Sequence, residues 1–350
     1  PLIVEDPAEP LSYDREAVLV FDDWLDGIGE RTPERTLAGL RRRGMPAMPG
    51  MSGMSGMNMP GMNGMPGMSD GMSGGGLGVA QMARDLAANR GDSGDVRHPL
   101  FLANGRVAAA PPAFDAKPGE RVRLRLINAA ADTIFAVYVE GHELTVTHAD
   151  GLAVEHSATD AVVLGAGERY DALVDLRVAT RIVGVALGKA GHAAALLRPP
   201  GGGRRPKGDA PWRLPGRILD PGLLRAADAA PPSPQADQIA VELNMVADGY
   251  GWTLAGRTGP DLVLAELARD ADVRFSFRNR TMMPHPMHLH GHFFQVLGRG
   301  GAGPMKDTVL VPGMATVDVA LRADNPGRWA LHCHNAYHQE AGMMAEVRVA

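Results

Sequence analysis

The chain has 350 residues, a formal net charge of −5 at pH 7, 44 glycines, 27 prolines and a single cysteine. This balance argues against a nucleic-acid partner, no apolar stretch approaches the length of a membrane span, and one cysteine excludes an internal disulfide. The high glycine and proline content, with only 5% aromatic residues, favours a turn-rich β architecture over a helical bundle.

The first part of the chain alternates between strand patterns and one helix. Residues 13–24 carry apolar side chains on alternate positions, which predicts a buried strand. Thr32, followed by proline and an acid, predicts a capped helix over 33–43. Strands resume at 100–105, which ends in an Asn-Gly turn pair, and at 120–127, which alternates cleanly.

Residues 45–72 contain ten of the nineteen methionines, set among Gly, Ser, Pro and Asn. Such a segment buries too little apolar surface to offset its ordering entropy, so it is predicted to be an extended, mobile loop. Thioethers prefer Cu(I), so the segment is a candidate weak Cu(I) collector. The alternative is a low-complexity insert without a copper role.

The chain also repeats itself. Residues 122–128 are echoed by 273–279, and 141–146 are echoed by 291–296. This register is expected to place residues 185–187 where the second copy carries a His-Cys-His run. The first copy therefore lacks the metal-ligand pattern of the second.

Composition divides the chain into three parts. Two repeats, 12–198 and 238–350, flank a segment at 199–237 that holds nine prolines and reads as a linker. Short strands at regular spacing, with turn signals between them, predict an all-β fold of consecutive Greek-key β-sandwiches.

The only cysteine lies in the richest stretch of the chain. Cys333 is flanked by His332 and His334, His338 follows five positions later, and Met343 five after that. One thiolate, two imidazoles and a weak axial thioether make the ligand set of a blue-copper electron-transfer site. This run supplies three of those ligands, so one imidazole has to come from elsewhere.

The missing imidazole is available in the run 285–290. Alternate residues of a strand share a face, so the histidines and the cysteine separate into two sets. One set suits a mononuclear copper site: His285, Cys333, His338 and Met343. The other set is imidazole only and suits a copper cluster that reduces a small molecule: His288, His290, His332 and His334.

With these motifs the sequence resembles the multicopper oxidases, the family of laccases, ascorbate oxidase and bacterial cuprous oxidases. The runs H-x-x-H-x-H and H-C-H-x3-H-x4-M match the family's third and fourth copper signatures. The resemblance implies the following ligands: type 1 copper at His285, Cys333, His338 and Met343, type 2 at His288, and type 3 at His290, His332 and His334. Cys333 would then carry electrons to a cluster that reduces dioxygen to water, with four coppers in the complete enzyme.

The same resemblance implies that both sandwiches are of cupredoxin type, the first of them copper-free. It also implies that residues 1–11 are the last strand of a further cupredoxin domain, since the family's first two signatures, H-W-H-G and H-x-H, occur nowhere in the chain. About 100–150 residues would be missing, and with them the other cluster histidines. The alternative is a two-domain variant that borrows ligands from a neighbouring molecule.

Two substrate classes fit the resemblance: phenols or aromatic amines, as in laccases, and Cu(I), as in cuprous oxidases. The pair Met282 and Met283 and the methionine-rich segment favour copper handling. Two departures count against it, since cuprous oxidases often carry an acid where Thr281 and Gln339 stand here. Either Glu340, one place later, or a carboxylate of the missing domain would have to donate protons to the cluster.

A non-catalytic copper-binding or buffering protein of copper resistance is the alternative function. The complete His-Cys-His run argues against it, because a store needs no covalent path between two sites. The resemblance further implies dioxygen as the electron acceptor and a secreted or periplasmic location.

Overall fold

The computed structural model describes residues 3–4, 6–44, 77–201, 206–228, 236–259, 261–298 and 301–350. The methionine-rich segment, 45–72, lies outside the described residues. Across the ranges given above, no helix has the length and apolar character needed to cross a membrane.

The strands of residues 15–198 form two sheets. In chain order they are β1 (Arg15–Trp24), β2 (Leu100–Ala103), β3 (Arg106–Val107), β4 (Ala113–Asp115), β5 (Arg121–Asn128), β6 (Phe135–Val139), β7 (Leu144–Ala149), β8 (Leu152–Thr159), β9 (Ala161–Leu164), β10 (Arg169–Asp175), β11 (Thr180–Ala186) and β12 (His192–Arg198). Their orders are β3-β2-β1-β5-β10-β7-β8 and β4-β12-β11-β6-β9. Alternate residues of both sheets, such as Leu19, Leu124 and Val137, share one buried apolar core.

The strands of residues 237–349 form a second pair of sheets. They are β13 (Asp237–Met245), β14 (Trp252–Leu254), β15 (Val263–Leu267), β16 (Asp272–Asn279), β17 (His285–Leu289), β18 (Phe294–Gly298), β19 (Gly301–Lys306), β20 (Thr308–Val311), β21 (Thr316–Arg322), β22 (Gly327–Cys333) and β23 (Met344–Val349). Their orders are β14-β13-β16-β21-β18-β19 and β15-β23-β22-β17-β20. The predicted all-β class is confirmed, and we propose that each pair of sheets is one domain with the limits predicted above.

Three helices occur in the described ranges: α1 (Pro33–Arg43), α2 (Val79–Ala87) and α3 (Ala336–Glu340). The structure has α1 where the sequence predicts it, with the Thr32 hydroxyl accepting a hydrogen bond from the Arg35 amide. Helix α2 was not predicted, because its first turn follows Gly78 and has no side-chain cap. Helix α3 was not predicted either, although Asn335 caps it with its side-chain oxygen.

The two pairs of sheets repeat the same plan. Strands β1 and β5 pair in parallel, as do β13 and β16, and each pair is followed by an antiparallel neighbour. The expected equivalence of 185–187 with the His-Cys-His run is wrong by two residues. Tyr138 pairs with Val183 as His288 pairs with His332, so Gly184 takes the place of Cys333. Loops of different length between the paired strands shift the count along the chain.

In the first pair of sheets, aromatic rings occupy the positions that correspond to the predicted mononuclear copper site of the second pair. Phe135 begins β6 as His285 begins β17. A Cβ added to Gly184 would lie 2.6 Å from the ring of Phe21, so no larger side chain fits there. This sandwich therefore holds its strands together by apolar packing where the second has ligand-type residues.

Two predictions concern the segments 1–11 and 199–237, which precede and follow the first pair of sheets. The described residues 3–4 and 6–11 form no strand within this chain, and the assignment of 1–11 to a further domain stays a prediction. The segment at 206–228 packs on both pairs of sheets, since Leu219 and Leu224 are buried in the first core and the 3-10 turn at Pro221–Leu223 contacts β18 and β19. The linker is thus partly a packed segment that contacts both pairs of sheets.

Candidate metal centres

Three donor atoms converge between β17, the end of β22 and helix α3. Nδ1 of His285 lies 3.1 Å from Nδ1 of His338 and 3.8 Å from Sγ of Cys333. The sulfur lies 3.5 Å from Nδ1 of His338. All three side chains are fully buried. We call these three residues the thiol group.

The spacing of the thiol group fits one metal ion. Donor atoms that lie about 2.0–2.3 Å from a metal at angles near 120° are roughly 3.5–3.8 Å apart. The observed separations of 3.8 and 3.5 Å fall in that range, and the third, 3.1 Å, is slightly shorter. A thiolate with two imidazoles is the donor set of a blue-copper site, so chemistry and geometry both suit copper.

A second hydrogen bond fixes the ring of each histidine in the thiol group. Nε2 of His285 lies 2.9 Å from the Thr281 hydroxyl, and Nε2 of His338 lies 3.1 Å from a carboxylate oxygen of Asp95. Outer partners of this kind set the tautomer and aim the inner nitrogen at the metal. Thr281 therefore has a structural part in the site, and Asp95 is a site residue that the sequence did not reveal.

The thiol group is enclosed by aromatic and apolar side chains. The ring centroid of Trp252 lies 4.0 Å from that of His338 and 5.0 Å from that of His285. Met343, the predicted axial ligand, is buried, and its amide donates to the His338 carbonyl over 2.9 Å. Trp252 and Met343 thus keep water away from these three donors.

The surroundings push the pKa values of the two histidines apart. Burial, together with the nearby charge on His338, lowers the pKa of His285 well below its usual value. Burial also opposes the charged form of His338, but hydrogen bonds to Asp95 and Cys333 outweigh it and raise the pKa of His338 to about 10. These pKa shifts favour a charged His338 beside a neutral His285.

A second set of donors lies on the other face of β17 and β22. His288, His290 and His332 have ring nitrogens within 4.8 Å of one another. Nε2 of His290 lies 3.1 Å from Nε2 of His332. Nδ1 of His288 lies 2.8 Å from the carbonyl of Asp307, which leaves Nε2 for a metal. We call these three residues the imidazole group.

His334, predicted to belong with this set, lies at its edge. Its ring centroid is 5.7 Å from that of His332 and 5.8 Å from that of His288. A Cβ added to Gly167 would lie 2.6 Å from the ring, so a loop of the first pair of sheets supports it. His292 stays outside, with Nδ1 directed to the His290 carbonyl, as His142 is directed to Glu140.

Burial favours the neutral form of His332, His290 and His334. Burial, with smaller contributions from the neighbouring histidines, lowers the pKa of His332 to about 4. Burial also lowers the pKa values of His290 and His334. Neutral imidazole is the form that binds a metal, so these residues can accept one without first losing protons.

A cavity of about 890 Å³ opens onto these histidines from solvent. Its wall includes the predicted proton donor Glu340 and its neighbour Gln339, together with Asp22 of β1. Burial raises the pKa of Asp22 to about 6. Asp22 is thus a second carboxyl that can hold a proton beside the imidazole group, and no sequence signal marked it.

Both donor sets are braced by contacts between the two pairs of sheets. Arg169 donates to the two carboxylate oxygens of Asp307 over 2.6 and 2.8 Å. Asn335, which caps α3, donates to Asp132 over 2.6 Å. The relative position of the two pairs of sheets therefore bears directly on where His288 and His338 lie.

Comparison with known proteins places this arrangement in context. Two family profiles, both described as multicopper oxidase, match residues 17–182 and 231–350. The multicopper oxidase MmcO of Mycobacterium tuberculosis is 37% identical over 350 residues, which are 98% of this chain and 64% of that protein. A laccase of Cryphonectria parasitica is 28% identical over 294 residues, 65% of this chain and 49% of the relative.

Solved structures of multicopper oxidases have a similar fold. The crystal structure of Fet3p, titled a multicopper oxidase that functions in iron import, superposes with a TM-score of 0.73 at 17% identity. The match covers 99% of this chain and 68% of Fet3p. This likeness confirms the cupredoxin type of the β-sandwiches. The chain spans 64% and 49% of the lengths of the two curated relatives.

Proposed function

Because the chain belongs to the multicopper oxidase family, we propose that it is part of an oxidase that takes single electrons from a reductant and passes them to dioxygen. One observation carries the proposal. Cys333 belongs to the thiol group, and its neighbour in sequence, His332, belongs to the imidazole group. An electron accepted at the first group can reach the second through the bonds of one strand.

Copper is the metal that both donor sets would hold. The proposed ligands are His285, Cys333, His338 and axial Met343 for type 1, His288 for type 2, and His290, His332 and His334 for type 3. Bound there, copper supplies the one-electron redox chemistry, and in the family's complete enzymes four coppers serve the four electrons that convert dioxygen to two waters. The proposal includes the further cluster histidines that the family's first two copper signatures supply.

The side chains of the chain have separate tasks in this scheme. Thr281 and Asp95 orient the two imidazoles of the thiol group, and Trp252 excludes water from it. Glu340, together with Asp22, holds protons at the cavity beside the imidazole group, where reduction of dioxygen consumes them.

The reductant is proposed to be a phenol or aromatic amine, or Cu(I), and the location secreted or periplasmic. Thioethers favour Cu(I), and Met282 is an exposed methionine next to Thr281 and the thiol group. The organic donors are supported by a basic cavity whose lining includes Asp95, the partner of His338.

Oxygen uptake by the full-length, copper-loaded protein tests the proposal. With 2,6-dimethoxyphenol we expect steady uptake without release of hydrogen peroxide, and its loss in Cys333→Ser. A copper-binding protein without turnover would form the blue site and take up no oxygen. Peroxide as the product, or uptake that survives Cys333→Ser, would contradict the scheme.

A further inference from the structure

A cavity of about 380 Å³ lies between α1 and the loop that follows α2, and its wall is strongly basic. Small-molecule sites typically have volumes of about 300–1,000 Å³, so the cavity can hold one small aromatic molecule. Two carboxylates line it, Glu30 and Asp95. Against them stand five arginines: Arg31, Arg35, Arg42, Arg43 and Arg97.

Few carboxylates among the described residues neutralise these arginine charges. Arg35 pairs with Glu30 at 3.8 Å, and Arg31 donates to the backbone carbonyl of Arg97. Arg42, Arg43 and Arg97 form no ion pair with any carboxylate in the described part of the chain. The cavity therefore attracts anions and repels small free cations, and the effect weakens with salt because the side chains are exposed.

The floor of the cavity leads to the thiol group. Asp95 lines the cavity and holds Nε2 of His338 at 3.1 Å. The Asp95 side chain is only 2% exposed, and Tyr250 donates to the same carboxylate oxygen over 2.7 Å. A molecule seated against Asp95 is thus one side chain away from a proposed copper ligand, which is a suitable place for electron entry.

We propose that this cavity binds the electron donor and selects an anionic aromatic, of the class of the carboxylated phenols. The selection rests on the proposed oxidase function. Guanidinium groups pair with carboxylates in a planar, bidentate manner and stack on aromatic rings, so the lining can recognise both parts of such a donor. With copper held by the thiol group, such a phenol would give one electron to the metal and its proton to water, and would become a phenoxyl radical.

Binding of a redox-inert probe tests the selection without any turnover. The probe is 3,5-dimethoxybenzoate, with the neutral 3,5-dimethoxybenzamide for comparison, titrated calorimetrically into the 350-residue chain without added copper. At low salt the benzoate should bind about tenfold more tightly than the amide, since a field of this kind changes association by about tenfold or more. Salt at about 1 M should remove the difference.

Substitutions in the cavity lining test which charges produce the preference for benzoate. The double variant Arg42→Gln, Arg43→Gln should lose most of the preference for benzoate, and Glu30→Gln should increase it. Arg213→Gln is the matched control, because Arg213 is an exposed arginine outside the cavity. Equal binding of benzoate and amide would overturn the proposal, as would an equal loss in Arg213→Gln.

A kinetic arm separates this proposal from the oxidase function. The two donors compared in the full-length, copper-loaded protein are the anionic phenol syringate and the neutral 2,6-dimethoxyphenol. The double variant should weaken apparent binding of syringate about tenfold, seen as a higher KM with kcat unchanged, and should have little effect on the neutral phenol. Oxygen uptake that does not distinguish the two phenols overturns the selection and leaves the oxidase standing. Selective binding of benzoate without oxygen uptake from either phenol overturns the oxidase and leaves the anion site standing.

Discussion

The Asp95 carboxylate lies 3.1 Å from Nε2 of His338, so a residue of the loop between α2 and β2 orients a proposed copper ligand of the second pair of sheets. Nδ1 of the same ring lies 3.5 Å from Sγ of Cys333. The two contacts leave the imidazole one orientation. The thiol group is therefore assembled from β17, β22 and α3 but is fixed in place by a loop that lies 243 residues earlier in the chain.

Replacing Asp95 should weaken copper binding without unfolding the protein. Loss of an outer partner of a metal-binding histidine typically costs about 10–100-fold in metal affinity. We expect Asp95→Asn to lower the affinity for Cu(II) by about tenfold or more, measured by competition with a chelator. Asp209→Asn, at an exposed carboxylate, is the control and should leave the affinity unchanged. Equal affinities in all three proteins would show that Asp95 does not position His338.

Breaking the bond between Arg169 and Asp307 should destabilise the protein. The pair is largely buried and bidentate, and its loss leaves Asp307 without its main partner. After allowance for the exposed part of Arg169, we expect Arg169→Met to lower the free energy of unfolding by about 1–3 kcal/mol in urea denaturation. The control is Arg121→Met, which removes an exposed ion pair with Asp175 and should have no measurable effect. A similar small effect of both changes would contradict the role of the interface.

The raised pKa of Asp22 predicts a pH-dependent stability. Burial raises this pKa from 3.8 to about 6, so the charged carboxylate is less favourable in the folded than in the unfolded protein. Stability due to this group is full at low pH and is lost as pH rises through about 6. Asp22→Asn should therefore raise the melting temperature at pH 7 by roughly one to four degrees and leave it nearly unchanged at pH 4.

Thermal unfolding at the two pH values checks this prediction. Asp26→Asn, at an exposed carboxylate four positions along, is the control and should change neither melting temperature. An Asp22→Asn effect of the same size at pH 4 and pH 7 would mean that titration of this carboxyl does not govern stability.

The methionine-rich segment can be tested by deletion of residues 45–72 from the full-length, copper-loaded enzyme. If its thioethers collect Cu(I), oxidation of Cu(I) at low copper should fall, because the soft ligands that recruit it are gone. Oxidation of phenols should hold or rise. Oxygen uptake with each reductant measures both activities. An equal loss of both, or no change in either, would mean that the methionines do not recruit copper.

The sequence predicts the grouping of the donor residues where local backbone geometry alone determines which face a side chain lies on. His332 and Cys333 lie on one strand, so alternation alone assigns them to different faces, and the structure has them in different donor groups. His338 is a different case. Its spacing pointed to the thiol group, but the residue reaches that group from the short helix α3 and not from a continued strand.

The site residues that could not be identified from the sequence are those whose contacts form only when distant parts of the chain pack together. Asp95 stands in a loop with no motif around it, and its contact with His338 depends on how the two pairs of sheets pack. The basic cavity likewise combines the end of α1 with Arg97, and α1 in isolation reads only as a capped helix with a basic last turn. The repeat was visible in the sequence, but its register at Gly184 required the observed strand pairing.

Titration of the 350-residue chain with Cu(II) tests directly whether His285, Cys333 and His338 form one copper site. We predict an intense blue absorption from thiolate-to-copper charge transfer. It should be absent in Cys333→Ser and retained in His290→Ala, whose change lies in the imidazole group. A folded, copper-loaded chain that stays colourless, or a blue colour that persists in Cys333→Ser, would contradict the account.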